Sequence, residues 1–272
     1  MNQKDLFKIS IVTPSFNQGK FIEDTIKSVL NQKYENFEHI IIDGGSTDGT
    51  VDILKKYPHL KWVSEPDKGQ SDALNKGFKM AKGEWILWLN SDDMLFENTI
   101  HNYIEVINKN RHINLLYGHT VFIDSKKDIL KKVYQLNYRY FMTYYDTYIP
   151  PTSGTLFRTN LLKKQPLDIN YHIVMDLKWF FEFGQNINAK VIDDYSVSFR
   201  ISNENKTSKH FNTGIRNLQH DKERTMIFNK YVYKKYDTKL KMVIYSFNHF
   251  LIYIYYYLMK LRYLYKYIRD RI

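Results

Sequence analysis

The sequence predicts an α/β fold in which helices flank a mostly parallel sheet, followed by a helical, basic, tyrosine-rich C-terminal appendage. Three observations lead there. Strand-like and helix-like runs alternate through about the first 100 residues, the rhythm of βαβ units with right-handed crossovers. The 272 residues are 43% hydrophobic, which suits one α/β domain with an appendage and a sizeable core. The charge is also uneven: residues 206–272 hold 15 Lys+Arg against 4 Asp+Glu, so the whole net charge of +11 arises in the C-terminal quarter.

Residues 8–13, KISIVT, are rich in β-branched side chains and stop at Pro14, which reads as a first strand. From about Lys20 to Asn31, apolar Phe21, Ile22, Ile26, Val29 and Leu30 recur at helical spacing. EHIII at 38–42 predicts a second strand that runs into the turn-forming string DGGSTDGT at 43–50. A helix at about 50–57, a short strand at 60–63 (LKWV), a helix at 70–81 and a strong strand at 85–89 (WILWL) continue the alternation. After Asn114 the pattern is irregular, with a strand at 115–123, a helix at 174–183 and a strand at 189–193; past Thr213 it reads as mostly helical. The expected units are 1–212, divided near 113, and a tail over 213–272.

The chain has no cysteine, which excludes disulfides, zinc–thiolate sites and thiol nucleophiles and suits a reducing cytoplasm. MNQKDLFKISIVTPSF has no apolar run of signal-peptide length, so neither secretion nor an N-terminal span is expected. Residues 231–272 carry 11 of the 23 tyrosines, and the 17 residues of 243–259, VIYSFNHFLIYIYYYLM, include no Lys, Arg, Asp or Glu. As a helix that stretch reaches about 25 Å, short of the usual ~20-residue span. Basic flanks and tyrosines suit the headgroup region, so the expected partner of the tail is an anionic membrane surface; packing on the α/β domain or on a partner chain is the alternative. No recognition motif accompanies the charge, and nucleic acid is not expected as a partner.

In open α/β sheets ligands collect at the carboxyl ends of the strands. TPSFN (13–17), DGGSTDG (43–49), SEPDKGQSD (64–72) and NSDD (90–93) all lie just past a strand, so four polar loops on one edge make one site. Adjacent Asp92 and Asp93 are costly to hold ionised unless a cation or hydrogen-bond donors share the charge. A hard divalent ion, Mn²⁺ or Mg²⁺, does this well and commonly also holds substrate phosphates. The plainer alternative is that Asp93 caps a helix beginning near Met94 while Asp92 is solvated. In the 43–50 loop the glycines let backbone approach a ligand, and Asp43 offers a carboxylate to a base or ribose. G-x-G-x-x-G and G-x-x-x-x-G-K-[ST] are absent, so a nucleotide is not held as in a dehydrogenase or a P-loop ATPase.

From Ser10 to Asp93, SIVTPSFNQGKFIEDTIKSVLNQKYENFEHIIIDGGSTDGT followed by EPDKGQSDALNKGFKMAKGEWILWLNSDD resembles the nucleotide-sugar-binding half of a family 2 glycosyltransferase with the Rossmann-like GT-A fold. A weaker likeness continues through PPTSGTLFRTNLL (150–162), VMDLKW (174–179) and FRISNENKTS (199–208). The resemblance implies that Thr13, Pro14, Ser15 and Asn17 line a nucleoside pocket, that Asp43 reads the base, and that Gly44 and Ser46 belong to that loop. It places Asp72 against ribose or diphosphate, with Asn90 and Ser91 at the donor. Asp92 matches the metal-ligating aspartate of a D-x-D motif, with Asp93 beside it; Asn90 stands where many relatives have the first aspartate. Asp176 of VMDLKW matches a catalytic base, although Lys178 replaces the motif's second acid; the alternative is an exposed or capping aspartate beside core Trp179, Phe180 and Phe181. Arg200 and Lys206, with Thr207, match a loop that neutralises the leaving group. Ser202 occupies a position often held by histidine, for which His210 is a substitute as metal ligand.

The function this implies is a cytoplasmic, metal-dependent, inverting glycosyltransferase, peripheral on the inner face of the cell membrane. It would move a sugar from a nucleotide donor, UDP-linked by preference, to a glycan or polyprenyl-linked acceptor in bacterial surface polysaccharide assembly. The rival reading is a non-catalytic nucleotide-sugar-binding or membrane-scaffold protein that kept the fold. Oligomeric state stays open, an oligomer being compatible with the sequence.

Overall fold

The computed structural model describes residues 7–202, 218–232 and scattered residues between 247 and 261. Its core is a nine-stranded mixed sheet in the order β3-β2-β1-β4-β8-β6-β9-β5, with β7 paired to β6. The first four strands, β1 (Ile9–Ser15), β2 (Phe37–Asp43), β3 (Leu60–Ser64) and β4 (Trp85–Trp88), are mutually parallel. They alternate with α1 (Ile22–Leu30), α2 (Thr50–Leu54) and α3 (Gln70–Met80). The predicted elements of this half are all present, α2 being shorter than expected.

These strands read as continuous apolar runs because helices cover both faces of the parallel sheet. Every residue of β4 is buried, including Trp85 and Trp88, and each such side chain contributes about 1.5–3 kcal/mol. Since β2 and β3 lie on one side of β1 and β4 on the other, the strand order reverses between β1 and β4. Ligands of open α/β sheets bind outside the carboxyl ends at such a reversal.

The second half adds β5 (Met94–Leu95), α4 (Thr99–Lys109), β6 (Leu115–Ile123), β7 (Ile129–Val133), α5 (Tyr140–Asp146), β8 (Thr155–Arg158), α6 (Thr159–Lys164), α7 (Met175–Phe183) and β9 (Ala189–Arg200). β8 runs antiparallel to β4 and fuses the halves into one sheet, while β9 pairs parallel with β6 and antiparallel with β5. Two sequence expectations need correction. The strand expected over 189–193 continues to Arg200, and no helix begins near Met94: that residue opens β5, and the next helix starts at Thr99.

The last described helix, α8 (Leu218–Tyr231), lies within the stretch expected to be a tail, yet it packs on the domain. Ile227 and Val232 are buried in the cluster that holds Trp179, Phe180 and Phe181, and Tyr231 stacks on Phe181 at 5.6 Å. Among the described residues no helix is long and apolar enough to cross a membrane.

Candidate functional site

The loops after β1 and β2 are stitched together. Ser46 Oγ accepts the Asn17 N–H at 2.7 Å and Asn17 Oδ1 accepts the Thr47 N–H at 2.9 Å, while Gly19 N–H donates to Asp48 at 2.8 Å. Asn17 sits at φ 52°, a left-handed conformation that asparagine tolerates better than most residues. Asp43 is fully buried, and its carboxylate organises the turn: Oδ2 accepts from Gly45 N–H, Ser46 N–H and the Ser64 hydroxyl, and Oδ1 accepts from the Ser46 hydroxyl. Ser46 thus holds the loop through both its neighbours. Thr13 turns inward, its hydroxyl 3.0 Å from His39 Nε2, and Pro14 is buried at the strand end. Ser15 Oγ is buried with no hydrogen-bond partner among the described residues, and the Ser15 carbonyl accepts the Gly44 N–H.

Phe16, unassigned from sequence, is 60% exposed and leans against Gly44, leaving an aromatic face open beside the Asp43 turn. Such a ring can stack on a planar base. Across the cleft, Asp67 Oδ1 accepts the Gly69 N–H at 2.7 Å and Asp72 Oδ2 accepts the Lys68 N–H at 3.1 Å, fixing the entry to α3.

At the end of β4 the four residues of NSDD divide their work. Asn90 Oδ1 accepts from Trp88 Nε1 and Gln70 Nε2, and its amide donates to Asp93 Oδ2 at 3.2 Å. Asp93 is fully buried, its other oxygen accepting the Arg200 N–H at 3.0 Å and Ser153 donating as well. Asp93 therefore neither caps a helix nor faces the cleft. An amide at Asn90 suits this inward role because it donates a hydrogen bond to Asp93, which an ionised carboxylate could not do. Ser91 is buried, whereas Asp92 is half-buried. Burial raises the Asp92 carboxyl to about 6, with the Arg200 charge opposing, and raises Asp93 further, with Asp92 adding to the effect.

Arg200 does not reach toward a leaving group. Its guanidinium is fully buried over the Phe21 ring at 4.6 Å and donates to the Asp92 carbonyl, the Ser125 carbonyl and Asp24 of α1. It clamps the Asp92–Asp93 turn from behind. A cleft of about 580 Å³ between α1 and β5 includes Asp24 and Lys127 in its walls, but Asp24 pairs with both Lys127 and Arg200, and no strand-end site residue lines it.

The acceptor-side segment reaches this edge through PPTSG. Ser153 Oγ accepts the Asn90 N–H at 3.2 Å, and the neighbouring Thr152 hydroxyl bonds to Asp176. Asp176 stands in the first turn of α7, half-buried, with Oδ1 accepting the Leu177 N–H at 2.7 Å. Burial raises its carboxyl above the ordinary value, while the Leu177 N–H, Thr152 and the His220 charge partly offset this. Lys178, at the position of the motif's second acid, turns away from the cleft to pair with Glu182 at 2.8 Å and Asp168 at 3.1 Å. Lys206 and His210 lie outside the described residues, and Ser202 is buried.

The arrangement offers one half-exposed carboxylate, Asp92, for a cation; among the described residues no cluster of three acidic, histidine or cysteine side chains exists. That fits an ion taking most of its ligands from a diphosphate and water, which is how Mg²⁺-type ions usually bind. Asp176 is a second carboxylate, on a different element from Asp92, and burial raises its affinity for a proton, the property a general base needs.

A family model described as "Glycosyl transferase family 2" matches residues 10–167. The putative teichuronic acid biosynthesis glycosyltransferase TuaG of Bacillus subtilis is 38% identical over 103 residues, covering 36% of this chain and 40% of that one. The poly-beta-1,6-N-acetyl-D-glucosamine synthase of Staphylococcus epidermidis is 33% identical over 134 residues, 48% of this chain and 32% of that one. The matched stretches cover between 19% and 54% of the lengths of these two and six other curated relatives. Among solved structures, S. aureus TarS 1-349 in complex with UDP-GlcNAc is similar with a TM-score of 0.63 at 22% identity, over 74% of this chain and 60% of that one. The mannosyltransferase PcManGT from Pyrobaculum calidifontis, in complex with GDP-Man and Mn2+, has a TM-score of 0.59 at 16% identity, over 81% and 64%.

Proposed function

Because the chain belongs to glycosyl transferase family 2, we propose that it is an inverting glycosyltransferase of surface-polysaccharide assembly, using a nucleotide-sugar donor and a glycan or polyprenyl-linked acceptor. One observation carries the reading: the adjacent loop residues Thr152 and Ser153 link Asp176, in the first turn of α7, to the Asn90–Asp93 turn at the end of β4. TarS in complex with UDP-GlcNAc supports a UDP-linked sugar, and TuaG, named for teichuronic acid biosynthesis, supports a polymer as product.

In this reading the nucleoside lies on the stitched 13–19 and 43–50 loops, with Phe16 against the base and Asn17, Gly44 and Ser46 shaping the wall. Asp43, buried and already bonded to Gly45, Ser46 and Ser64, acts through the turn it orders rather than by touching the base. Asp72 and Ser91 border the ribose and diphosphate. Asp92 would hold a divalent cation, which when bound supplies positive charge to the diphosphate. Asp176 takes the proton of the acceptor hydroxyl while that oxygen bonds to the anomeric carbon and the bond to the nucleoside diphosphate breaks. Lys206, with a charge suited to the departing diphosphate, and His210 keep their proposed roles from sequence.

The described residues between Phe247 and Leu261 are helical and expose Phe247, Phe250, Tyr253, Tyr257 and Leu258. With the basic excess around them, these support docking on an anionic membrane face, where a lipid-carried acceptor is presented.

Thermal denaturation with UDP-N-acetylglucosamine, UDP-glucose and GDP-mannose, each in Mn²⁺ or in EDTA, tests the reading. A ligand present at a hundredfold its Kd stabilises by about 2.7 kcal/mol, so a bound donor should raise the melting temperature by several degrees. We expect a UDP-sugar to do so in Mn²⁺ and to lose most of the effect in EDTA or in D92N. No shift with any donor would refute donor binding, and an equal shift in all three conditions would refute the metal role of Asp92.

A further inference from the structure

Glu223 of α8 is buried, with 5% exposure, and its carboxylate receives the backbone N–H groups of three consecutive residues. Oε1 accepts from His172 at 3.0 Å; Oε2 accepts from Ile173 at 3.0 Å and Val174 at 3.2 Å; and Gln219 Nε2 adds a fourth bond at 3.1 Å. The bonds are charge-assisted, and despite the opposing effect of burial they hold the Glu223 carboxyl below its ordinary value, so it is ionised at neutral pH. The three N–H groups end a loop pinned to α3, where Ser71 Oγ donates to the Tyr171 carbonyl and Asn75 exchanges two bonds with Leu167. Val174 is the N-cap of α7, and Asp176 follows two residues later. His172 packs against Gly69, where a Cβ would lie 3.2 Å from Nδ1.

We propose that Glu223 is a positioning residue for the acceptor-side base: it fixes the backbone that enters α7 and so the direction in which Asp176 presents its carboxylate. The inference rests on the glycosyltransferase reading above. It makes α8 a working part of the active site, since the conformation of residues 172–174 is set from 49 to 51 residues further along the chain.

A glutamine at 223 has the same shape but turns one end of the fork into a donor, so at least one N–H of the three faces another donor. The full chain and its E223Q, E223A, D176N and D176N/E223Q variants are compared in three measurements. Backbone hydrogen exchange at 172–174 should quicken at least tenfold in E223Q and more in E223A. UDP affinity in Mn²⁺ should stay within twofold of the parent. Release of UDP from UDP-N-acetylglucosamine, with water as the acceptor, should lose at least tenfold in kcat at unchanged KM. A residue that acts through Asp176 gives non-additive losses, so D176N/E223Q should be no slower than D176N.

Unchanged exchange at 172–174 would overturn the proposal, as would losses that multiply in the double variant or a defect that appears in KM and UDP affinity. A parent that releases no UDP would instead overturn the transferase reading, and the exchange measurement alone would then decide whether Glu223 holds this backbone.

Discussion

Arg200 shows how one side chain can serve a site it does not face. Its guanidinium joins β9, the Asp92–Asp93 turn, the loop at Ser125 and Asp24 of α1, all without exposure to solvent. Planar, multiply donating geometry is what this requires, and lysine cannot supply it. Removing one partner of a buried charged pair costs about 3–5 kcal/mol, and in urea titrations R200A should lose about that much. R200K should recover only part of it while lowering Mn²⁺-dependent UDP affinity, because the Asp92 carbonyl loses its donor. A variant as stable as the parent would show that the clamp is dispensable. From sequence Arg200 reads as a diphosphate ligand, since a loop arginine near a proposed anion site has that chemistry. What redirects it is the length of β9. The run YSVSFR over 195–200 alternates apolar with polar residues, a signal by which the strand could have been extended to Arg200, and Ser196, Val197 and Ser198 are all buried in the structure.

At the level of elements, α3 carries the site's upper wall and is held against β1 by a close approach at Gly77. A Cβ there would lie 2.4 Å from Val12 Cγ1, and the branched valine cannot turn away from it. G77A gains helix propensity of about 1 kcal/mol, yet overpacking a tight core contact costs about 1–3 kcal/mol. A net loss of stability in thermal unfolding is therefore expected, with weaker UDP binding as α3 shifts Gln70 away from Asn90; a stabilised variant would contradict this packing. The elements that build the donor edge were legible, because apolar strands there end in glycine, proline and aspartate turns of distinct chemistry. β5 was not, since two residues carry no period. Without β5 the two aspartates cannot be told apart, and only its pairing to β9 shows why Asp93 turns inward while Asp92 stays half-exposed.

Across the whole molecule, the parallel first half of the sheet, its mixed second half and α8 each contribute to the site, and the net positive charge comes from the C-terminal quarter of the sequence. Glu223 had no sequence signal because its partners are backbone groups, which no residue pattern reveals. The exposed aromatic residues from Phe247 onward and the basic excess around them lead to an expectation about location. The chain should sediment with vesicles containing phosphatidylglycerol, weaken as salt rises toward 0.5 M, and ignore vesicles of phosphatidylcholine alone; equal behaviour on both lipids would remove the electrostatic basis. Chemistry at the cleft is the larger claim, and D176N tests it most directly, because the substitution keeps shape and removes the proton acceptor. Measured as UDP release from the donor that binds in Mn²⁺, D176N should keep the parent's UDP affinity and lose about 10²–10⁴-fold in kcat. Turnover equal to the parent's would contradict the assignment of Asp176 as the base of a glycosyl transfer.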